Sequence, residues 1–450
     1  MASKALWRKA INIRILPQHV TITGAFALAL CLLGLLGAAG SEPAYAVEED
    51  YEPGQVIVKL LPGTNIGDIN DRYGASTLDD YFGSIGIYLI EPPDNKDAKT
   101  LAEDLTRESP TNGVLYAEPN FVAEAPEVDP EGDGRIRARN INTTSESDKG
   151  SSDRIAAKNL GLSCAAKISK GKGAMVAVLD TGAQLNHLAL KSNFEGVESW
   201  DFVRNDPNPS EVLDADGDGR RDRIAGHGTH VARIVDRVAP AAKIMPLRVL
   251  NSKGYGDVYT IAKAVSYAQR NEADVINLSL GSSNPSSLLY EMIDAAIDRG
   301  VVVAAAAGNS DTSDPHYPAA GDPLFPGGTL GSADGLVAVA SVTSLDQEAQ
   351  QKSNFSNYGS WVDIAAPGEL IRSAFPIDKY ADWSGTSMAT PFISGQAALI
   401  HAVDGTLEPA GMDGIEDRIR KHVDPLAQDP LEPVGTGHAD VCKSLKGLGE

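Results

Sequence analysis

Ser387 is the residue whose type and surroundings most directly indicate chemistry. It lies in the stretch Ser-Gly-Thr-Ser-Met-Ala-Thr-Pro, and an apolar run follows it to about Val403. We expect a helix to begin at Ser387, where unpaired backbone N–H groups and the positive end of the helix dipole meet the side chain. A serine oxygen placed there can attack a carbonyl carbon while nearby N–H groups hold the resulting oxyanion. A lone Gly-x-Ser is more often a turn or a helix cap, so this interpretation needs further motifs.

Two stretches upstream of Ser387 supply a carboxylate and an imidazole. An apolar run from Val176 to Leu179 ends at Asp180, and His227 opens a helical stretch with the sequence Gly-His-Gly-Thr-His-Val-Ala. The three motifs, in the order Asp180, His227, Ser387, together resemble the subtilisin-like serine proteases, or subtilases, over roughly residues 51–450. The order itself is the one known from subtilisin.

The resemblance implies a role for each of these side chains. A serine hydroxyl is too weak an acid to attack unaided, so His227 would take the proton of Ser387 and return it to the leaving amine. Asp180 would orient His227 and stabilise its charged form. His230, the second histidine of the same motif, is expected to be structural.

Asn309 ends the stretch Ala-Ala-Gly-Asn, which follows a predicted strand. An asparagine after a glycine is most often a turn residue. The subtilase resemblance implies instead that its side-chain amide completes an oxyanion hole with the backbone N–H of Ser387.

Two glycine-containing segments resemble the parts of a subtilase that bracket an extended peptide. They are Gly254-Tyr255-Gly256 and Ser279-Leu280-Gly281. Glycines leave the backbone open to strand-like pairing with a substrate, and the alternative is an ordinary loop. Small apolar residues nearby, from Ala304 to Gly308, favour uncharged substrate side chains at the cleaved position.

An acidic loop lies between the first two motifs. Asp214, Asp216 and Asp218 alternate in the way of the first half of a calcium-binding loop, with glycine in the sixth place and Asp222 in the ninth. The twelfth place is Ala225, where a bidentate glutamate is expected. A solvated acidic loop is therefore an equal alternative to a structural calcium site.

The composition limits the partners. The 450 residues are 42% hydrophobic and 22% charged, as in an ordinary globular protein, and their formal net charge is −22. Nucleic-acid binding needs a basic surface, so we do not expect it. The subtilase resemblance implies polypeptide substrates and the chain's own propeptide, acting as an intramolecular inhibitor.

The N-terminus has the features of a secretory signal. Basic residues precede an apolar run from Gly24 to Leu36, and an Ala-Tyr-Ala cleavage motif ends at Ala46. The run is short for a bilayer span, so we expect its removal and no stable membrane anchor. The protein would then be secreted or periplasmic.

Three cysteines occur, of which Cys31 lies in the predicted signal. Cys164 and Cys442 remain, and in an exported chain two cysteines either pair or stay free. The resemblance implies a disulfide, because in subtilases the segment before the first strand lies near the C-terminal helix.

The pattern along the chain predicts an α/β fold. Short apolar runs alternate with helical stretches from about residue 153, which indicates a doubly wound, mostly parallel sheet, and the subtilase resemblance implies that this sheet is subtilisin-like. The pattern of residues 51–125 predicts a small α+β domain before it, which resembles the inhibitory propeptide of subtilases. We predict a signal peptide at 1–46, an inhibitory propeptide at 47–125, a flexible linker at 126–152 and a catalytic domain at 153–450.

These observations together predict a secreted serine endopeptidase made as a zymogen. It would hydrolyse peptide bonds through a Ser-His-Asp triad and an acyl-enzyme. The alternative from a different class is a secreted pseudoprotease, a binding protein on the same fold.

Overall fold

The N-terminal part of the described chain folds as the predicted α+β unit. The computed structural model describes residues 50–128, 139–143, 151–321, 335–343, 350–411, 414–427 and 429–448, with backbone alone for 139–143 and 151–154. The predicted signal peptide lies outside these residues. The unit contains the elements β1 (Tyr51–Leu60), α1 (Ile66–Tyr73), β2 (Ser76–Asp79), β3 (Ile87–Glu91), α2 (Ala98–Arg107) and β4 (Val114–Glu124).

The strands of this unit form an antiparallel sheet in the order β2-β3-β1-β4. Successive side chains of a strand point to opposite faces of the sheet, and in β1 both faces are buried. Val56 and Val58 pack with Leu101 and Leu105 of α2. Ile57, which points the other way, belongs to the core that the unit shares with the rest of the protein. The second face of this sheet therefore packs against the rest of the protein.

The remainder of the described chain is a layered α/β domain. In chain order its elements are β5 (Arg139–Thr143), α3 (Ser151–Asn159), α4 (Leu162–Ile168), β6 (Met175–Asp180), α5 (Lys191–Phe194), β7 (Trp200–Asp201), α6 (His227–Val238), β8 (Lys243–Arg248), β9 (Tyr255–Asp257), α7 (Val258–Arg270), β10 (Val275–Leu278), α8 (Ser287–Ile297), β11 (Val302–Ala306), β12 (Leu336–Val342), β13 (Ile364–Pro367), β14 (Ile371–Phe375), β15 (Lys379–Trp383), α9 (Thr386–Val403), α10 (Ile415–Lys421), β16 (Val423–Asp424), β17 (His438–Ala439) and α11 (Val441–Leu445).

The large sheet has the order β16-β17-β13-β12-β11-β10-β6-β8-β7. All of its pairings are parallel except that of β16 with β17, which confirms the predicted doubly wound, mostly parallel sheet. The chain leaves β6 towards β8 on one side and later returns to β10 on the other. Ligands of such sheets bind where the strand order reverses, and Asp180 is the last residue of β6.

Two apolar layers hold the sheet between them, and alternate residues of β6 divide between the layers. Ala177 and Leu179 pack on the side of α7 and α8. Val176 and Val178 pack on the side of α6 and α9. Burial on both faces is the reason that this strand is a continuous apolar run in the sequence.

Two elements of regular structure fall wholly or partly within 126–152, the segment that the sequence predicted as a flexible linker. Strand β5 lies within it and pairs with β15 as the third strand of the small sheet β14-β15-β5, and α3 begins at Ser151. Backbone pairing with the β15 edge compensates for the scarcity of apolar residues that suggested an unstructured segment.

The predicted pairing of the two cysteines is present. Cys164 in α4 is joined to Cys442 in α11 by a disulfide that spans 278 residues of sequence. It connects the start of the α/β domain to its end. Within the described part of the chain, none of the helices combines the length and the apolar character that crossing a bilayer requires.

Candidate active site

Asp180 and His227 meet at the switch point of the large sheet. His227 is the first residue of α6, and its Nδ1 donates to Asp180, at 2.8 Å from Oδ1 and 2.9 Å from Oδ2. Both side chains are completely buried. Gly228 follows His227 because a Cβ there would collide with the carbonyl oxygen of Gly182. The glycine therefore lets α6 approach the end of β6 closely enough for this contact.

His230 is structural, as the motif predicted. Its Nε2 lies 3.0 Å from the carbonyl oxygen of Ile371 and 3.1 Å from that of Ala381, and its ring stacks on Trp383. Burial lowers the pKa of His230 to about 3, so the ring is neutral. Arg233 of the same helix is partly exposed and pairs with Asp236. The cation does not prevent the packing of α6.

Ser387 is the second residue of α9, as expected for a side chain at a helix start. Asn309 follows β11 and is anchored to the same helix: its Oδ1 accepts from the backbone N–H and the hydroxyl of Thr386, each at 2.9 Å. This anchoring turns the NH₂ group of Asn309 towards Ser387. The arrangement can place two donors, the amide of Asn309 and the helix N-terminus, around one oxygen.

The carboxylate of Glu127 fills the space between these groups. Its Oε2 accepts from the hydroxyl of Ser387 at 2.8 Å and lies 3.1 Å from Nε2 of His227, and its Oε1 accepts from Nδ2 of Asn309 at 3.1 Å. Among the described residues, the other partner of the Ser387 hydroxyl is the carbonyl oxygen of Ser279 at 3.4 Å. The carboxylate thus separates His227 from Ser387.

The two carboxylates beside His227 determine its charge. Burial alone lowers the pKa of His227, but the charge and hydrogen bond of Asp180, together with those of Glu127, outweigh burial and raise it to about 10. His227 is therefore an imidazolium near neutral pH in this structure. An imidazolium cannot accept the proton of Ser387.

Both predicted substrate segments contact the chain that carries Glu127, which we call the tail (residues 121–128). Ala123 pairs with Gly256 and Glu124 with Tyr255 in an antiparallel ladder between β4 and β9. On its other side, Glu124 exchanges two backbone hydrogen bonds with Gly281, at 2.8 and 2.9 Å. The tail is therefore the central strand between the two segments, as an extended peptide substrate would be.

A turn lifts the backbone of the tail away from Ser387. The N–H of Val128 donates to the carbonyl of Ala125 at 2.9 Å, which closes a four-residue turn. Val128 is nearly buried, and the space over Gly254 is where its side chain packs. It is the side chain of Glu127, and not a peptide carbonyl, that contacts Ser387.

The N-terminal unit also contacts the starts of α7 and α8. The buried carboxylate of Glu118 accepts from the hydroxyl of Ser286 at 2.7 Å and from the N–H groups of Ser287 and Leu288 at 2.8 and 3.2 Å. Asn120 similarly accepts from the N–H of Tyr259 at 3.0 Å. Polar side chains of the N-terminal unit thus accept hydrogen bonds from the free backbone N–H groups at the starts of α7 and α8.

His316 was missed by the sequence analysis. It is enclosed next to Gly281 and Gly308, and its Nε2 has no hydrogen-bond partner among the described residues. Burial lowers the pKa of His316 to about 4, although the nearby charge of Glu127 acts in the opposite direction. The sequence suggested that small apolar residues line the cleft, but the wall beside it also contains the imidazole of His316. No motif surrounds His316 that could have identified it.

The acidic loop gathers three of its four candidate ligands. Carboxylate oxygens of Asp214, Asp216 and Asp218 lie within 4.8 Å of one another. Asp222 is not part of this group, because its Oδ2 accepts from the N–H of Ala215 at 2.8 Å and from the hydroxyl of Ser252 at 2.7 Å. The predicted fourth ligand therefore serves the fold of the loop.

Comparison with known proteins agrees with this geometry. Residues 171–423 match the model of the subtilase family, and residues 39–120 match the fervidolysin N-terminal prodomain. The chain is 40% identical to thermitase from Thermoactinomyces vulgaris over 243 residues, which cover 52% of this chain and 76% of thermitase. It is 37% identical to subtilisin Savinase from Lederbergia lenta over 254 residues, which cover 54% of this chain and 80% of Savinase.

The fold is similar to that of fervidolysin from Fervidobacterium pennivorans, described as a keratinolytic enzyme related to subtilisin. The TM-score is 0.68 at 20% sequence identity, and the match covers 91% of this chain and 64% of the fervidolysin chain. Nothing in these comparisons supports the alternative of a pseudoprotease. The chain belongs to the subtilase family, and it is a serine endopeptidase with an N-terminal prodomain.

Proposed function

We propose that Ser387, His227 and Asp180 form the catalytic triad and that Asn309 contributes to the oxyanion hole. The observation that carries this proposal is the position of the Glu127 carboxylate, which is held simultaneously by the Ser387 hydroxyl, His227 and Asn309. These are the groups that must converge on one substrate carbonyl during acyl transfer. A carboxylate resembles the oxygen-rich centre of the reacting peptide bond.

The reaction follows from this arrangement. With Glu127 absent, His227 takes the proton of Ser387 while Oγ forms a bond to the substrate carbonyl carbon. The negative charge moves to the carbonyl oxygen, where the Asn309 amide and the Ser387 N–H hold it. The carbon–nitrogen bond then breaks, and the leaving amine takes the proton from His227. Water, activated by His227 in the same way, releases the acyl group and restores Ser387.

The segments Gly254-Tyr255-Gly256 and Ser279-Leu280-Gly281 are proposed to bind the substrate backbone. The antiparallel ladder of the tail supports this assignment, because its bonds are made by main-chain atoms and are available to any extended peptide. Substrates are therefore polypeptides. The physiological substrate is not specified by main-chain pairing.

The prodomain is proposed to act as the intramolecular inhibitor of the intact chain. It covers α7 and α8, occupies the cleft with its tail and keeps His227 charged through Glu127. We further propose that the chain cuts itself near Glu124 to Val128, once the turn at 125–128 opens and brings a peptide carbonyl to Ser387. The first cut would be intramolecular, so its rate would not depend on protein concentration.

Export and calcium binding complete the proposal. The predicted signal would direct the chain to a secreted or periplasmic location, with Val47 as the first residue after cleavage. Calcium prefers oxygen ligands, and one ion could bind the carboxylates of Asp214, Asp216 and Asp218. Backbone carbonyl groups and water would supply its further oxygen ligands. The ion would hold the loop before α6 and would take no part in the reaction.

The decisive experiment is peptide hydrolysis by the purified full chain and by Ser387→Ala. The full chain is expected to release its prodomain and then to cleave denatured protein substrates. Ser387→Ala is expected to remain uncut and inactive, whereas the surface control Ser192→Ala behaves as the parent. Near-normal hydrolysis by correctly folded Ser387→Ala would refute the assignment of the nucleophile.

A further inference from the structure

The catalytic helix begins without a capping side chain of its own. Gly226 precedes His227 and offers no side-chain acceptor to the first N–H groups of α6. The carboxylate of Glu211, from the loop between β7 and α6, takes this place. It accepts from the N–H of Gly226 at 3.0 Å and from the N–H of Thr229 at 3.0 Å. These two residues flank His227 on either side.

The same carboxylate also reaches the strand that carries Asp180. The hydroxyl of Thr181, the residue after Asp180, lies 3.2 and 3.3 Å from the two oxygens of Glu211 and donates to them. That hydroxyl in turn accepts from the N–H of Gly228 at 2.9 Å. Glu211 and Thr181 therefore tie the end of β6 to the start of α6. The strand end and the helix start are the two backbones whose separation sets the Asp180–His227 contact.

The surroundings of Glu211 raise the pKa of its carboxyl group. The residue is partly exposed, but its carboxylate is enclosed, and this burial raises its pKa to about 7. Hydrogen bonds from Thr229 and Gly226 act in the opposite direction, whereas the charge of Asp180 raises the pKa further. The other charge that acts on the group is Arg248 on β8, which lowers the pKa. Arg248 is itself paired with a buried carboxylate at 2.9 Å.

We propose that Glu211 is a positioning residue of the peptidase reaction. It holds His227 at hydrogen-bond distance from Asp180 by joining Thr181 to the residues on both sides of His227. This inference rests on the proposed roles of Asp180 and His227. A protonated or absent carboxylate loses its strength as an acceptor for the N–H groups, so the helix start can shift relative to Asp180.

The test compares Glu211→Ala, Glu211→Gln and the exposed control Glu198→Gln in the full chain after self-processing. For Glu211→Ala we expect kcat to fall at least about tenfold while KM stays within about twofold, because substrate contacts are untouched. Glu211→Gln keeps one acceptor oxygen and should recover part of this loss. The control should keep the parent's kcat and KM.

The pH profile gives a readout that a merely structural role would not move. In the processed parent, where Glu127 no longer holds His227 charged, kcat/KM should fall with decreasing pH as His227 becomes protonated, and protonation of Glu211 below about pH 7 should make this fall steeper than one ionisation allows. In Glu211→Gln the acid limb should become that of a single ionisation. If Glu211→Ala does not fold, the Gln variant alone decides.

An unchanged kcat and an unchanged acid limb in the Gln variant, even with a lowered melting temperature, would overturn the proposal. A parent enzyme that cleaves no peptide would instead refute the proposed function itself. The two failures are therefore distinguishable in one assay.

Discussion

The carboxylate of Glu127 lies 2.8 Å from the hydroxyl of Ser387 and 3.1 Å from Nε2 of His227, so one side chain of the tail separates the proposed nucleophile from the proposed base. The same contact helps to keep His227 protonated, with a pKa raised to about 10. We therefore expect the intact chain to be latent for two reasons: Glu127 obstructs the proposed oxyanion site, and it keeps His227 protonated so that the imidazole cannot act as a base.

Substitution of Glu127 should speed self-processing. Glu127→Gln keeps the shape of the side chain but removes its charge, so the pKa of His227 falls and the imidazole can act as a base. Loss of one such charge-assisted hydrogen bond, worth about 1.5–3 kcal/mol, corresponds to about a 10- to 100-fold faster first cut. Gel analysis of the intact chain against time measures this rate.

The exposed prodomain variant Glu103→Gln is the matched control and should process at the parent's rate. Glu127→Gln that processes at the parent's rate or more slowly would show that the carboxylate does not impose latency.

Release of the processed prodomain should become easier as pH rises through about 7. Burial raises the pKa of Glu124 to about 7 in the cleft, and Asp50 adds to this; burial and the charge of Asp257 raise the pKa of Glu52 to about 7 as well. Groups with a raised pKa in the complex stabilise it fully below their ordinary value near 4.5, and this stabilisation is lost as pH approaches 7.

The measurement is the lag before peptidase activity appears when processed complex is diluted at different pH values. The lag should shorten as pH rises from about 4.5 to 7. Glu124→Gln should make the lag less dependent on pH, because the ionisation of Glu124 no longer contributes. A lag that lengthens with pH in this window would contradict the assignment.

Calcium should stabilise the folded protein through the acidic loop. At a concentration about 100-fold above Kd, one bound ion adds about 2.7 kcal/mol, which corresponds to a melting temperature higher by about 4 °C for a domain of about 300 residues. Asp214→Asn should abolish this response, whereas Asp222→Asn should destabilise the loop but leave the response in place. A melting temperature that is insensitive to chelator and to added calcium would exclude the site.

The disulfide should contribute strongly to stability. The closed loop of 278 residues corresponds to about 5.6 kcal/mol in the chain-entropy model. Cys164→Ser and Cys442→Ser should each lower the free energy of unfolding by a similar amount, and the double variant should lose no more than either one. Two alkylatable thiols in the unreduced, unfolded parent would rule out the bridge.

The sequence was sufficient to predict the large sheet and the converging triad motifs. Strands such as β6 and β12 are buried on both faces, and such strands are recognisable as continuous apolar runs. The hairpin of β14 and β15 was not predicted. Its turn places Ile377 and Asp378 at positive φ. The sequence has no glycine or asparagine at these two positions that would have predicted such a turn.

The residues that control the triad from outside were also not predictable from the sequence. Glu211 lies in an irregular loop, and its role depends on a fold that brings Thr181 and Gly226 together. Glu127 lies in a stretch whose polar composition suggested a linker. His316 is partly buried by its neighbours and has no motif of its own. Tertiary contact, and not local pattern, gives each of these side chains its environment.

The most direct test of the proposed nucleophile is labelling by a serine-directed phosphonylating probe, followed by peptide mapping. The processed parent is expected to carry one label, on Ser387, with loss of peptidase activity in proportion to labelling. Intact Ser387→Ala is expected to take none. Stoichiometric labelling at another residue, or inactivation of the Ser387→Ala variant by the probe, would contradict the assignment of Ser387 as nucleophile.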